Sequence, residues 1–228
     1  MTDIAVIDYG MGNLRSVSKA LEHVAPHATV SVTSDPEVIA RASRVVFPGV
    51  GHAADCVREL EARGLRRAVV EAAQSKPFLG ICLGMQMLFE HSEEGDTPGL
   101  GVLPGRVRRF PAEAMHDAAG VRLKLKVPHM GWNQVYQAVP HPLWAGIDDG
   151  ARFYFVHSFY CEPGSPDLIA GYTLYPFPFT SAVARGNVFA VQFHPEKSQA
   201  AGLTLLGNFV TWDGSASHAG ACASSACL

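Results

Sequence analysis

No apolar run in this 228-residue chain approaches the roughly 20 residues needed to span a bilayer; the most apolar stretch, Phe78 to Phe89, is interrupted by Gln86. An export signal is lacking too: MTDIAVIDYG carries acid where a basic region would stand, and its apolar stretch is short. Positive charge is not in excess. With 18 Lys+Arg against 21 Asp+Glu the net charge is −3, so neither nucleic acid nor an anionic membrane is an expected partner. Five cysteines (Cys56, Cys82, Cys161, Cys222, Cys227) stand at irregular spacings without a C-x-x-C pair, which disfavours a zinc site or a redox dithiol. Any one of them that matters is then a free thiol in a reducing, cytoplasmic compartment. Charged residues are 17%, too few for a disordered chain or a coiled coil, whereas 48% apolar residues suffice for a core. These numbers predict one globular domain over residues 1–212. The stretch 213–228 is small, polar and without periodicity, and reads as a disordered tail.

The first 95 residues or so alternate between strand and helix patterns. Ile4 to Ile7 is a short apolar strand ending in Asp8-Tyr9-Gly10-Met11-Gly12-Asn13, after which Leu14, Val17, Leu21 and Val24 recur at helical spacing. A strand at Thr29 to Thr33 and a short helix after Ser34-Asp35-Pro36 precede the strand Arg44 to Phe47, which Pro48-Gly49-Val50-Gly51 stops. Helices are expected from Ala53 to Ser75, broken near Gly64, then a buried strand at Pro77 to Ile81 and a helix from Leu83 to His91. Such alternation predicts an α/β fold with a parallel sheet. After Gly95 short strand-like runs predominate: Arg106 to Phe110, Val121 to Val127, Arg152 to Tyr160, Leu168 to Leu174, Ser181 to Arg185 and Val188 to Phe193. This half reads as largely antiparallel, with a closing helix at Ala201 to Trp212.

Three segments carry chemistry. In Gly80-Ile81-Cys82-Leu83-Gly84-Met85-Gln86 a buried strand turns directly into a helix with a thiol at the corner, the pattern of a nucleophile elbow. The flanking glycines suit a sharp, strained turn and keep the approach to the thiol open. The helix start favours the thiolate and aims the Leu83 N–H at an oxyanion; the alternative is a buried structural cysteine. Phe193-His194-Pro195-Glu196-Lys197-Ser198 ends an apolar strand, and residues i and i+2 of an extended chain face one side. His194 and Glu196 can thus serve as a base and its orienter, or merely form a polar strand end. Pro48-Gly49-Val50-Gly51 could turn backbone N–H groups toward a carbonyl oxygen. It is equally an ordinary strand-to-helix loop, and no G-K-[ST] follows to make it a phosphate loop. Gly10-x-Gly12 lacks the third glycine of a dinucleotide fingerprint, because Arg15 stands there; NAD, and any other cofactor, is not expected.

In that order, on an α/β scaffold, the three segments resemble the class I (triad) glutamine amidotransferases. With Asp8 to Ser16 and Pro128-His129-Met130-Gly131-Trp132-Asn133, the chain is similar, from residue 3 to about 212, to the glutaminase subunits of imidazole glycerol phosphate synthases in histidine biosynthesis. The anthranilate and carbamoyl phosphate relatives carry His where Met85 stands and lack Gly-Trp-Asn. The resemblance implies a flavodoxin-like amidotransferase fold: a mixed, mostly parallel central sheet flanked by helices, with an antiparallel-rich C-terminal half. It implies that Cys82 attacks the side-chain amide of L-glutamine to form a γ-glutamyl thioester and ammonia, with His194 as base then acid, and Glu196 as orienter. Leu83 and a turned peptide within Gly49, Val50 and Gly51 would hold the oxyanion. Gln86 and the backbone of His157, Ser158 and Phe159 would hold the glutamine main-chain groups. The implied partner is a (β/α)8-barrel cyclase subunit in a heterodimer that receives ammonia by channeling, with allosteric activation at the Gly49-Val50 loop.

Other features receive plainer readings. Arg106, Arg108 and Arg109 alternate as a solvated strand face or a partner contact. His218, Cys222 and Cys227 fit no zinc spacing, so no metal is expected. Cys56 and Cys161 are small packing residues, His52, His129 and Trp132 support loops, and Lys197 faces the partner. Pro111 to Gly120 falls outside the recognised pattern. Protonation of His194 would remove the base, so activity is expected to fall on the acidic side of neutrality. The alternatives are a glutaminase subunit of another synthase, a stand-alone γ-glutamyl hydrolase, or a non-catalytic amidotransferase-like scaffold.

Overall fold

The computed structural model of the chain describes residues 3–111 and 125–215. In β1 (Ile4–Ile7) all four side chains are apolar and all are buried. Ile4 and Val6 enter one apolar cluster and Ala5 and Ile7 another, so the strand must be covered on both faces. α1 (Leu14–Val24) buries Val17 and Leu21 on the first face. After β2 (Val30–Thr33), α2 (Pro36–Arg41) begins with Asp35 accepting from the Glu37 N–H and with proline at its first turn. β3 (Arg44–Gly49), α3 (Ala53–Ala62), α4 (Arg66–Ser75), β4 (Phe78–Cys82) and α5 (Leu83–Met87) follow. Ile39, Cys56, Leu60 and Val69 place α2, α3 and α4 on the second face.

The chain continues as β5 (His91–Ser92), β6 (Thr97–Pro98), β7 (Gly105–Arg109), β8 (His129–Gln137), β9 (Ala151–His157), β10 (Phe159–Pro163), β11 (Ile169–Leu174), β12 (Pro178–Arg185), β13 (Val188–Val191) and α6 (Gln199–Thr211). The sheet order is β2-β1-β3-β4-β13-β12-β10-β7-β5-β6, with β11, β8 and β9 branching from β12. Its first five strands are parallel, and β13 is the hinge of the topology: parallel to β4 but antiparallel to β12. Leu205 and Phe209 bring α6 beside α1 on the first face. The register Gly49↔Cys82 and Ile81↔Val191 places the carboxyl ends of β3, β4 and β13 side by side, where open α/β sheets bind ligands.

Four expectations change. The helix from Leu83 stops at Met87, because Leu88 and Phe89 turn back on the Met85 and Gln86 carbonyls and Glu90 N–H then joins the Gly105 carbonyl. The run Arg152 to Tyr160 divides at Ser158, whose carbonyl accepts from Phe110. β8 contains Gly131 and follows Pro128, both poor strand signals, yet it pairs with β9 from His129↔His157 to Val135↔Ala151. Of the run Val121 to Val127, residues up to 124 lie outside the described residues and the rest belong to no strand. Most of Pro111 to Gly120 likewise lies outside them. Of the expected tail, Asp213 to Ser215 are described, with the Trp212 Nε1–H donating to the Ser215 carbonyl at 2.7 Å. His218, Cys222 and Cys227 fall outside.

Candidate active site

β4 is buried at every position and runs without a break into α5, which forces Cys82 to make the turn. Cys82 adopts φ +54° and ψ −112°, a region that residues with a Cβ occupy only at a cost of about 1–3 kcal/mol. The reason for the flanking glycines differs from the one expected. A Cβ on Gly84 would be driven into the Phe47 carbonyl of β3, and one on Gly80 would come within 3.0 Å of the Ala190 Cβ on β13. They let the neighbouring backbones close around the elbow; access to sulfur is secondary. Gly49 does the same one strand over, where a Cβ would strike the Tyr9 hydroxyl and lie 2.9 Å from the Leu83 Cβ.

His194 stands three residues beyond β13, its N–H donating to the Tyr154 carbonyl at 2.9 Å. Its Nδ1 is 2.9 Å from the Glu196 Oε1, and the two side chains are 2% and 1% exposed. The i, i+2 contact is not that of an extended strand: Pro195–Lys197 forms one 3-10 turn that carries Glu196 back under the ring. Ser198 pins this turn, its hydroxyl donating to the His194 carbonyl at 2.6 Å and accepting from the Tyr154 N–H at 3.0 Å. Glu196 takes Nδ1, and among the described residues Nε2 has no hydrogen-bond partner. Burial opposes charge on the ring, but Cys82 first and Glu196 next outweigh it and hold the His194 pKa up at about 10. The charged ring is thus favoured opposite the Cys82 sulfur.

Cys82, Leu83, Gln86, Val50, Gly51, His157, Ser158 and Phe159 all line one cavity of about 260 Å³. The three separated motifs thus meet at one place. Gly49 lies behind this wall, and His194 and Glu196 are buried beside the sulfur. The Gln86 Nε2–H donates to the Phe159 carbonyl at 3.3 Å and to the Gln192 Oε1 at 2.9 Å. The Phe159 carbonyl also accepts from His157 Nδ1 at 2.7 Å, which fixes that ring's tautomer and leaves His157 Nε2 to accept from His129 Nδ1 at 2.9 Å. Burial drives both imidazoles to stay neutral, His157 to about 3 and His129 to about 4. His129 is therefore part of the pocket's support.

Sequence reasoning missed Gln192, which is fully buried between Gln86 and Cys82, and Glu94, a carboxylate on the cavity wall whose Oε2 accepts from the Ala53 N–H at 2.8 Å. Gln192 carried a weak signal, two residues before His194; Glu94 carried none. Cys56 and Cys161 are buried and held protonated, the former up at about 12 by burial. His52 Nδ1 accepts from the Ala54 N–H at the start of α3. Arg106 and Arg108 pair with Glu162, and Arg108 also with Glu93, so two of the three arginines of the basic strip are matched by neighbouring carboxylates. Among the described residues no helix is long and apolar enough to cross a membrane.

Comparison with known proteins agrees with this geometry. The family model for class-I glutamine amidotransferases matches residues 5–211. The imidazole glycerol phosphate synthase subunit HisH of Thiobacillus denitrificans is 74% identical over 220 residues, covering 96% of this chain and 95% of that protein. The HisH subunit of Nitrosospira multiformis is 66% identical over 212 residues, covering 93% and 99%. Among solved structures, a glutamine amidotransferase superposes with a TM-score of 0.65 at 18% identity, covering 90% of this chain and 98% of that one. PurLQS from Thermotoga maritima superposes with 0.63 at 17%, covering 92% and 98%; at such identities these two speak to the fold alone. With a full-length family match and relatives at this identity, the chain belongs to the class-I glutamine amidotransferases and, within them, to the HisH subunits of imidazole glycerol phosphate synthase.

Proposed function

We propose that this chain is the glutaminase subunit of a cytoplasmic imidazole glycerol phosphate synthase, hydrolysing L-glutamine to glutamate and ammonia and passing the ammonia to a (β/α)8-barrel cyclase subunit. The observation that carries the reading is the strained Cys82 at the cavity wall beside a buried His194–Glu196 pair. The Cys82 thiolate attacks the glutamine Cδ, and the oxyanion is held by the Leu83 N–H and a peptide of Gly49, Val50 and Gly51. His194 Nε2–H gives its proton to the leaving nitrogen, which departs as ammonia, leaving the γ-glutamyl thioester. His194, now neutral, takes a proton from water as it attacks the thioester; collapse frees glutamate and regenerates the thiolate–imidazolium pair. Glu196 keeps the ring oriented and stabilises its charge throughout.

For the main-chain end of glutamine, Gln86 Oε1 and the Glu94 carboxylate are acceptors suited to an ammonium, with the backbone of His157, Ser158 and Phe159 completing the pocket. The Phe159 carbonyl already accepts from His157 and Gln86, so the ammonium falls first to those side chains. Met130, 66% exposed, and Trp132, 43% exposed, lie on β8 and present an apolar surface for the cyclase subunit, with Lys197 of the Pro195–Lys197 turn over the Tyr154 ring that Trp132 also meets. The domain is taken to span residues 1–212. Cys82→Ala is expected to abolish glutamine-dependent synthesis in the complex and to leave ammonia-dependent synthesis intact; loss of both would refute this division of labour.

A further inference from the structure

We propose that Gln192 is a positioning residue for the nucleophile: one buried carboxamide orients the Cys82 sulfur with its N–H and Gln86 with its oxygen. The proposal rests on Cys82 being the nucleophile. Gln192 is 0% exposed, and burying a carboxamide is costly unless both ends are bonded. Both are. Its Nε2 lies 3.6 Å from the Cys82 Sγ, and its Oε1 lies 2.9 Å from the Gln86 Nε2.

The direction of every bond follows from one group that can only accept. The Phe159 carbonyl takes the Gln86 Nε2–H, so Gln86 offers its NH2 inward and its oxygen toward the cavity it lines. The partner of that NH2 on Gln192 must then be Oε1, which leaves the Gln192 NH2, and not its oxygen, against sulfur. A donor at this place favours the anion over the thiol and fixes the rotation of sulfur at the elbow. A methionine would fill the same volume without a carboxamide to desolvate, so packing alone gives no reason for glutamine here. Gln192 thereby ties the reactivity of Cys82 to the orientation of Gln86, which meets the substrate.

The test uses Gln192→Met, which removes both bonds, and Gln192→Glu, which keeps an acceptor for Gln86 and removes the donor to sulfur. Alkylation of Cys82 by iodoacetamide, followed on the Cys82 peptide from pH 5 to 10, needs no glutamine pocket. Its midpoint is expected to rise by about one pH unit in Gln192→Met, with an about tenfold lower rate on the acid side of the midpoint. The midpoint is expected to rise further in Gln192→Glu. With the cyclase subunit and its nucleotide ligand, kcat for glutamine should fall at least about tenfold in both variants. KM should rise about threefold or more in Gln192→Met and stay within about twofold in Gln192→Glu. If either folded variant alkylates with the unmodified pH profile, the proposal is overturned, even if Tm and kcat drop, since that is the outcome of a packing role. Should one variant fail to fold, the other decides. Failure of the unmodified chain to hydrolyse glutamine with its partner would instead refute the glutaminase reading, without bearing on the alkylation profile.

Discussion

Acidification from pH 7.5 to 5.0 is expected to destabilise the chain through three buried histidines. Burial pushes His129 and His141 down to about 4 and His157 to about 3, against an unfolded value near 6.5. Their folded values are depressed, so between about pH 6.5 and 4 the unfolded chain binds protons that the native one refuses. Stability is present above the unfolded value and lost as pH falls. At pH 5 the gap is about 1.5 pH units, and 1.36 kcal/mol per unit gives ~2 kcal/mol for each histidine and ~6 kcal/mol as an upper figure for the three. That is comparable with the whole stability of an ordinary domain, about 5–15 kcal/mol. Urea unfolding at the two pH values measures the total. His141→Asn isolates one share: His141 Nδ1 caps the turn at Pro142 by accepting from the Leu143 N–H at 3.2 Å, a bond asparagine can also accept, and asparagine does not titrate. The variant loses ring packing against Phe189, yet its stability difference between pH 7.5 and 5.0 should shrink by about 2 kcal/mol. An unchanged difference, or a total loss below about 1 kcal/mol in the unmodified chain, would refute the reasoning.

Three further outcomes follow from the site. Cys82→Gly should be more stable than Cys82→Ala by about 1 kcal/mol, a reversal of the usual order, because glycine tolerates φ +54°; a higher Tm for the alanine variant would show the elbow to be unstrained. Glu196→Gln keeps the volume but removes the charge beneath His194. It should lower kcat about 100-fold or more with KM within about threefold, whereas an unchanged kcat would remove Glu196 from the machinery. Gly84→Ala should cost about 2 kcal/mol or more and most of the turnover, since β3 and α5 must part to admit the Cβ; a variant with the Tm and turnover of the unmodified chain would show that the contact yields.

What could be read from the sequence was local. Cys82 between two glycines at the meeting of an apolar strand and a helix pattern, and His194 two residues from Glu196, are contiguous signals, and the alternation of strand and helix patterns over the first 95 residues pointed to a parallel sheet. What escaped depends on contacts far apart in the chain. Gln192 and Gln86 are 106 residues apart, and only the pairing of β13 with β4 brings them together. Glu94 reaches the cavity because the helix after Cys82 ends at Met87, four residues short of the expected His91, and a pair of two-residue strands turns the chain back. The hydrophobic pattern of Leu88 and Phe89 is compatible with either course. β8 was hidden by Gly131 and Pro128, and its strand character comes from β9 rather than from its own residues.

The state of His194 alters the meaning of an acid limb in the activity. A free imidazole would lose its base function near pH 6.5. Here the ring, buried against Cys82 and Glu196, keeps its proton up to about pH 10 in the resting pair, so an acid limb due to His194 belongs to the step in which the ring must be neutral, the attack of water on the thioester. Removing Glu196 should move such a limb, because the ring then loses one of the charges that hold its proton. The raised value has the opposite sign to that of His157 and His129: its bound proton is lost only as pH climbs toward 10, and with it goes the acid that the leaving nitrogen needs. Two neutral imidazoles and one charged one are thus buried around the same site. Their difference follows from partners: His157 and His129 face a carbonyl and each other, whereas His194 lies between the Glu196 carboxylate and the Cys82 sulfur.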